Sequence, residues 1–125
     1  MNRIKQKFDE LASNDSKALI TYIVAGDPDL DSTLSIMNCM VTEGADIIEI
    51  GIPFSDPMAE GVSIQRGHER ALQNKTSIKD SLSLVSKFRQ SNKTTPIVFM
   101  GYMNPFESMG VQDFCKEAAR KGVDG

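Results

Sequence analysis

The chain has 125 residues, of which 40% are hydrophobic and 25% charged, and its formal net charge of −3 comes from 14 basic and 17 acidic residues. This composition is ordinary for one globular domain, and the mixed charges provide neither a basic face for nucleic acid nor a polybasic membrane anchor. The apolar runs are too short to cross a bilayer and the charged N-terminal stretch lacks the apolar core of a signal peptide, so we expect a cytoplasmic protein.

Continuous apolar segments alternate with segments whose apolar residues recur at helical spacing. In chain order the sequence predicts a helix at 2–12, a fully buried strand at 18–26, a helix at 30–43, a strand at 46–51, a loop at 52–61, helices at 62–73 and 77–91, a strand at 96–102 and a helix at 111–121. Such alternation is typical of an α/β fold whose parallel sheet is covered by helices. No change of composition marks an internal domain boundary.

A short repeat connects the second predicted strand with the last residues of the chain. "EGADIIEIG" at 43–51 and "KGVDG" at 121–125 both place Gly-X-Asp after a helix. Residues 123–125 are therefore predicted to open a fourth strand. Without further strands, the last complete strand would keep an unpaired edge.

One glutamate stands inside a strand that is otherwise built from isoleucines. In "DIIEIG", the alternation of side chains puts Glu49 and Ile47 on one face and Ile48 and Ile50 on the other. Ligands of parallel α/β proteins collect beyond the carboxyl ends of the strands, where a carboxyl group in an apolar setting can act as a general acid or base. The alternative is a structural carboxylate that the backbone or a buried cation satisfies.

Further polar residues follow the second and third strands. In the loop after the second strand, Asp56 is interpreted as a turn residue of Ser-Asp-Pro. Glu60 is either a residue of the functional site or a solvated acid at the start of a helix. Tyr102 and Asn104 follow the third strand, where simple packing explains Tyr102 equally well. No glycine-rich phosphate loop has the spacing of a nucleotide site.

The cysteines and the single histidine indicate no metal centre. Cys39 and Cys115 are 76 residues apart, fit no metal-ligand spacing and lie beside apolar residues of predicted helices. We therefore expect two reduced, buried thiols. His68 has no second histidine near it, and we expect it on the surface of a helix.

Three segments together resemble one enzyme family. "GDPD", "GADIIEIGIPFSDPMAEG" and "FMGYMNPF" are similar to segments of the tryptophan synthase alpha subunit, in the same order and at the expected separations. The resemblance implies a (β/α)8 TIM barrel, which usually needs about 250 residues. Residues 1–125 would be the N-terminal half of this single domain: the N-terminal helix, the first three βα units and the start of strand four.

The resemblance also implies a reaction and a partner. The family is a lyase of tryptophan biosynthesis that cleaves indole-3-glycerol phosphate by a retro-aldol step to indole and glyceraldehyde 3-phosphate. It needs no cofactor of its own, because pyridoxal phosphate belongs to the beta subunit of an α2β2 complex. Its phosphate-binding loops follow strands seven and eight, so we expect residues 1–125 alone to be inactive.

Individual residues match the functional positions of the family. Glu49 matches the catalytic glutamate, which protonates the indole ring carbon and accepts the hydroxyl proton. Glu60 stands where the family has an aspartate that holds the indole N–H, and Tyr22 and Tyr102 match residues of the substrate pocket. The positions that match the beta-subunit interface are Pro53, Asp56, Pro57 and Asn104.

Two other functions remain open at this point. The chain could belong to a catalytically weak or silent subunit that binds and activates a beta subunit. It could also belong to another phosphate-binding TIM-barrel enzyme. Phosphate-binding loops downstream would distinguish the leading possibility from the silent subunit, and release of indole distinguishes it from another barrel enzyme.

Overall fold

The structure is a computed structural model that describes residues 2–125, in which helices alternate with parallel strands. Its elements are α1 (Arg3–Ser13), β1 (Ile20–Val24), α2 (Leu30–Thr42), β2 (Ile47–Gly51), α3 (Val62–Gln73), α4 (Ile78–Ser91), β3 (Ile97–Met100), α5 (Met103–Met109) and α6 (Val111–Lys121). The α/β architecture predicted from the sequence is therefore confirmed. No helix among residues 2–125 combines the length and the apolar character needed to span a membrane.

The three strands form one parallel sheet in the order β1-β2-β3. The register places Glu49 of β2 beside Tyr22 of β1 and Val98 of β3, so these three side chains share one face. We call this face, which also carries Ile20, the inner face. Isoleucines of the opposite face, including Ile48, enter the core with α2 and α4, whose contributions include Met37, Leu84, Val85 and Phe88.

The first strand is less buried than its sequence predicts. It spans only Ile20–Val24, and Leu19 and Ile20 are 53% and 50% exposed. Within residues 2–125 the strand is not fully buried, contrary to the prediction, because β1 is an edge strand of this three-stranded sheet and its Ile20 belongs to the inner face. The core lies on the other face.

Helix α5 was missed by the sequence analysis, which placed 103–109 between a strand and a helix. The third strand ends at Met100, and Met103–Met109 form a helix whose N-cap is Tyr102. Pro105 occupies the first turn of α5, where its missing N–H costs no hydrogen bond within the helix.

The repeated Gly-X-Asp has the same structural role in both copies. The backbone N–H of Asp46 donates to Leu19 O at 2.9 Å, and Asp46 Oδ2 accepts from Leu19 N–H at 2.9 Å. Asp124 exchanges the same two hydrogen bonds with Ile97, at 2.8 Å and 2.9 Å. Each aspartate therefore pairs its own segment with the start of the preceding strand, and residues 124–125 begin to extend the sheet beyond β3.

A buried ion pair joins this last segment to α4. The side chains of Arg89 and Asp124 are 8% and 6% exposed and lie 2.9 Å apart. Arg89 also donates to the carbonyl oxygens of Gly122 and Thr95, and Arg3 of α1 contacts the other oxygen of Asp124 at 2.7 Å. The guanidinium is thus buried with its donors satisfied.

Asp124→Ala in the full-length protein should lower the free energy of unfolding by about 3 kcal/mol, because removing one partner of a buried pair leaves the other charge uncompensated. Urea denaturation measures the change. Asp113→Ala is the matched control, since Asp113 and Lys116 are 75% and 76% exposed and 3.9 Å apart. Its cost should stay below about 1 kcal/mol. Equal losses of stability in the two variants would contradict the conclusion that Asp124 belongs to a stabilising buried ion pair.

Both cysteines are exposed, so the prediction of buried thiols was wrong. In α2 the buried residues are Thr33 and Met37, and Cys39 lies about 200° around the helix from Met37. In α6 Ala118 alone is buried, and Cys115 lies outside that contact. No group of three or more His, Cys, Asp or Glu residues within residues 2–125 is arranged to hold a metal ion.

Candidate active site

Glu49 lies on the inner face near the end of β2 and is partly exposed. Across residues 2–125, its carboxylate has neither a hydrogen-bond donor nor a cation as a partner. The described residues therefore do not support the alternative that Glu49 is a structural carboxylate paired with the backbone or with a buried cation. A free carboxylate at this end of the strand is available to a ligand.

The Tyr22 hydroxyl lies over the end of β2. A Cβ atom on Gly51 would come within 2.1 Å of the Tyr22 oxygen, so only glycine fits beneath the ring. Burial raises the pKa of Tyr22, and the negative charges of Glu60 and Glu49 raise it further. The hydroxyl consequently stays protonated, and it is buried without a hydrogen-bond partner.

Glu60 belongs to the same group of side chains. Its Oε1 is buried and has no hydrogen-bond partner, whereas a solvated acid at a helix start would be open to water. Helix α3 takes Gly61 as its N-cap and has no side-chain cap. Glu60 is therefore not fully solvated, although the side chain as a whole is partly exposed. Glu49 and Tyr22 are register partners on the inner face, and the charge of Glu60 as well as that of Glu49 raises the pKa of Tyr22.

Tyr102 connects the loop after β3 with the loop after β2. Its hydroxyl accepts the backbone N–H of Ala59 at 2.9 Å, and its ring stacks on Phe54 with centroids 5.3 Å apart. Tyr102 thus both packs and hydrogen-bonds, and it holds the residue next to Glu60. Asp56 accepts a hydrogen bond from the hydroxyl of Ser55 at 2.7 Å.

His68 is buried, so its predicted place on the surface was wrong. The residue is 1% exposed, and its Nδ1 accepts the backbone N–H of Phe54 at 3.0 Å, because the loop after β2 folds back over α3. Helical spacing could have found it: Ile64, His68 and Ala71 follow the i, i+4, i+7 pattern of one face. Burial lowers the pKa of His68, and the charge of Glu60 opposes that effect.

The four residues that match a partner interface divide into two pairs. Pro53 and Pro57 are buried and shape the loop from within, whereas Asp56 and Asn104 are exposed. Two large apolar side chains, Met58 and Met103, are 82% and 57% exposed beside the latter pair. Contact with a partner through these residues stays a prediction.

Comparison with known proteins identifies the family. Residues 8–125 match the family described as "Tryptophan synthase alpha chain". The tryptophan synthase alpha chain of Neisseria gonorrhoeae is 54% identical over 125 residues, which are 100% of this chain and 47% of that protein. That of Nitrosomonas europaea is 51% identical over 125 residues, again 100% of this chain, and 46% of that protein.

Solved structures agree in fold. The crystal structure of tryptophan synthase subunit alpha from Legionella pneumophila has a TM-score of 0.97 at 46% identity, over 98% of this chain and 47% of that one. Tryptophan synthase from M. tuberculosis in an aminoacrylate-bound form has a TM-score of 0.91 at 34% identity, over 98% and 49%.

The chain therefore spans about half the length of the relatives it matches. Those relatives are (β/α)8 barrels, and the parallel order β1-β2-β3 with intervening helices is the N-terminal part of that fold. The match of residues 8–125 to the family, together with 54% identity along all 125 residues, shows that the chain belongs to the tryptophan synthase alpha chain family.

Proposed function

We propose that the protein carrying this chain is the alpha subunit of tryptophan synthase, a cytoplasmic lyase that cleaves indole-3-glycerol phosphate to indole and glyceraldehyde 3-phosphate. Family membership and the unpaired carboxylate of Glu49 on the inner face support the proposal. Residues 1–125 would then be the first half of one barrel domain, and the second half would supply the phosphate site. Family membership argues against an unrelated phosphate-binding barrel enzyme.

The proposed reaction requires one group that handles two protons. The ring carbon of indole gains a proton, the side-chain hydroxyl loses one, and the carbon–carbon bond between them breaks to leave an aldehyde. A carboxylic acid can give the first proton and its carboxylate can take the second. Glu49 is free to do so because no neighbour among the described residues holds its carboxylate. No cofactor is needed for this step.

Glu60 and Tyr22 complete the proposed indole site. The indole N–H becomes more acidic as the ring carbon is protonated, so a carboxylate that accepts it stabilises the intermediate. Glu60 offers a buried oxygen without a partner for that purpose. Tyr22 supplies an aromatic wall beside Glu49, and Tyr102 holds the loop that carries Glu60.

Glu60→Ala in the full-length protein should lower kcat/KM for indole release by about 10²-fold, which is the usual cost of losing one group that stabilises developing charge. Steady-state assays of indole measure it. Glu107→Ala, at an exposed position of α5, is the control and should leave the rate unchanged. A loss below threefold for Glu60→Ala would mean that the indole N–H has another acceptor.

The proposed partner is a beta subunit that carries pyridoxal phosphate, in an α2β2 complex. Support comes from the exposed residues at the carboxyl end of the sheet, Asp56, Met58, Met103 and Asn104, since exposed apolar side chains beside polar ones are typical of interfaces. A silent subunit that only activates its partner is the second candidate, because glutamate replaces the usual aspartate at position 60. Indole release measured without the beta subunit separates the two functions.

A further inference from the structure

Glu60 stands at the end of the loop that connects β2 with α3. Its own N–H donates to Pro57 O at 3.2 Å, which closes a turn inside the loop. Gln65 Nε2 of α3 also reaches Pro57 O, but at 3.5 Å this contact is at the limit of a hydrogen bond. The position of the Glu60 backbone therefore depends on stronger bonds between the loop and the rest of the fold.

Among residues 2–125, two backbone N–H groups of the loop donate to side chains of neighbouring elements. Near the start of the loop, Phe54 N–H donates to His68 Nδ1 of α3 at 3.0 Å. Near its end, Ala59 N–H donates to the hydroxyl oxygen of Tyr102 at 2.9 Å. The second bond is adjacent to Glu60 in sequence, so it acts most directly on the direction of that side chain.

Tyr102 belongs to a closely packed part of the fold. It follows the end of β3 by two residues and is the N-cap of α5. Ile52 N–H donates to Met100 O at 2.8 Å, so the bonding between β2 and β3 continues almost to Tyr102. A Cβ atom on Gly101 would lie 3.0 Å from the Phe106 ring and 3.2 Å from Ile52 Cβ. The backbone that carries Tyr102 is thus held against the end of β2.

The Tyr102 side chain contacts the loop near both of its ends. Its ring stacks on Phe54, with centroids 5.3 Å apart and an angle of 26° between the planes. Its hydroxyl oxygen accepts the N–H of Ala59, five residues further along. Phenylalanine at position 102 would keep the first contact and lose the second, so the two can be separated by experiment.

We propose that Tyr102 is a positioning residue for Glu60: its hydroxyl oxygen accepts Ala59 N–H and so fixes the backbone that directs the Glu60 carboxylate toward the substrate. The inference rests on the proposed function, since the substrate group that Glu60 serves is the indole N–H. Misplacement of a reacting group by about 1 Å can cost about 10²-fold in rate, so one bond next to Glu60 is sufficient to matter. The competing role for the hydroxyl is direct contact with the substrate.

Hydrogen exchange of single backbone amides in the full-length protein tests the bond without any activity. The Ala59 amide should be protected in the wild type, and in Tyr102→Phe it should exchange at least fivefold faster because its acceptor is gone. The Phe54 amide, whose acceptor is His68, is the internal control and should change less than twofold. An Ala59 amide that is unprotected in the wild type, or equally protected in Tyr102→Phe, overturns the proposal.

Steady-state kinetics of full-length Tyr102→Phe test the consequence for catalysis. The substitution should lower kcat for indole release about tenfold and leave KM within twofold, because Glu60 would stabilise charge that develops only in the transition state. In a Glu60→Ala background it should cause less than a twofold further loss, since no carboxylate is left to position. Thr94→Val, which removes an exposed hydroxyl before β3, is the control and should keep wild-type kinetics.

The remaining outcomes contradict positioning or separate it from the proposed function. A tenfold loss in both backgrounds would mean that the hydroxyl contacts the substrate directly, and it overturns positioning. Faster exchange of Ala59 with kcat within twofold of wild type overturns it as well, and so does a Tyr102→Phe variant that urea denaturation shows to be unfolded. If the wild-type protein releases no indole, the proposed function fails, while the exchange of the Ala59 amide still decides whether Tyr102 fixes the loop.

Discussion

Glu49→Gln in the full-length protein is expected to reduce indole formation by about 10³-fold while leaving assembly with the beta subunit intact. Glutamine keeps the size of the side chain but neither gives nor takes a proton under these conditions, and general acid–base catalysis contributes about 10²–10⁴-fold. Folding should be unaffected, because among residues 2–125 no neighbour bonds to the carboxylate. Indole release and complex formation are measured on the same preparation.

Glu107→Gln is the matched control for this experiment, since it makes the same chemical change at an exposed site of α5. It should retain wild-type turnover. Near-normal turnover in Glu49→Gln would show that the carboxylate has no part in proton transfer. Loss of beta-subunit binding would show that it supports the loop instead.

A polypeptide that consists of residues 1–125 alone is expected to release no detectable indole. In this polypeptide Glu49 is partly exposed and Ile20 of the same face is 50% exposed, so water is not excluded from the Glu49 carboxylate. In the family the phosphate of the substrate is held by loops of the second half of the barrel. Without them, the binding energy that places the scissile bond against Glu49 is lost.

The polypeptide of residues 1–125 should also self-associate through its exposed apolar side chains and the unpaired edge of β1. Ile20, Met58 and Val62 are at least half exposed, and β1 has an unpaired edge. Light scattering measures its mass, and a steady-state assay measures indole. Adding residues from the second half of the full-length protein as a separate chain should restore some release. Substantial turnover by a monodisperse monomer would contradict the expectation.

Patterns within one segment predicted most of the fold and part of the site. The period of the apolar residues located the strands, and strand alternation alone put Glu49 on the face opposite to Ile48 and Ile50. The repeat of Gly-X-Asp predicted that residues 123–125 would start to extend the sheet. Each of these properties depends on neighbouring residues, so local sequence contains the necessary information.

Properties set by contacts between distant segments were not predictable in this way. The loop after β2 folds back so that Phe54 N–H donates to the buried His68. Exposure of Cys39 depends on which side of α2 meets α4. Each of these residue types occurs both buried and exposed in proteins. The packing between helices, strands and loops therefore decides whether the side chain is buried.

The contact between Arg3 and Asp124 has a consequence for the order of events during synthesis. The two residues are 121 positions apart, yet they lie 2.7 Å apart in the folded chain. Helix α1 emerges from the ribosome first, but this contact must wait until residue 124 has followed, which takes about 6–25 s at 5–20 residues per second. Helix α1 is therefore made before the residue that completes its contacts, because Arg3 can reach Asp124 only after residue 124 has been added.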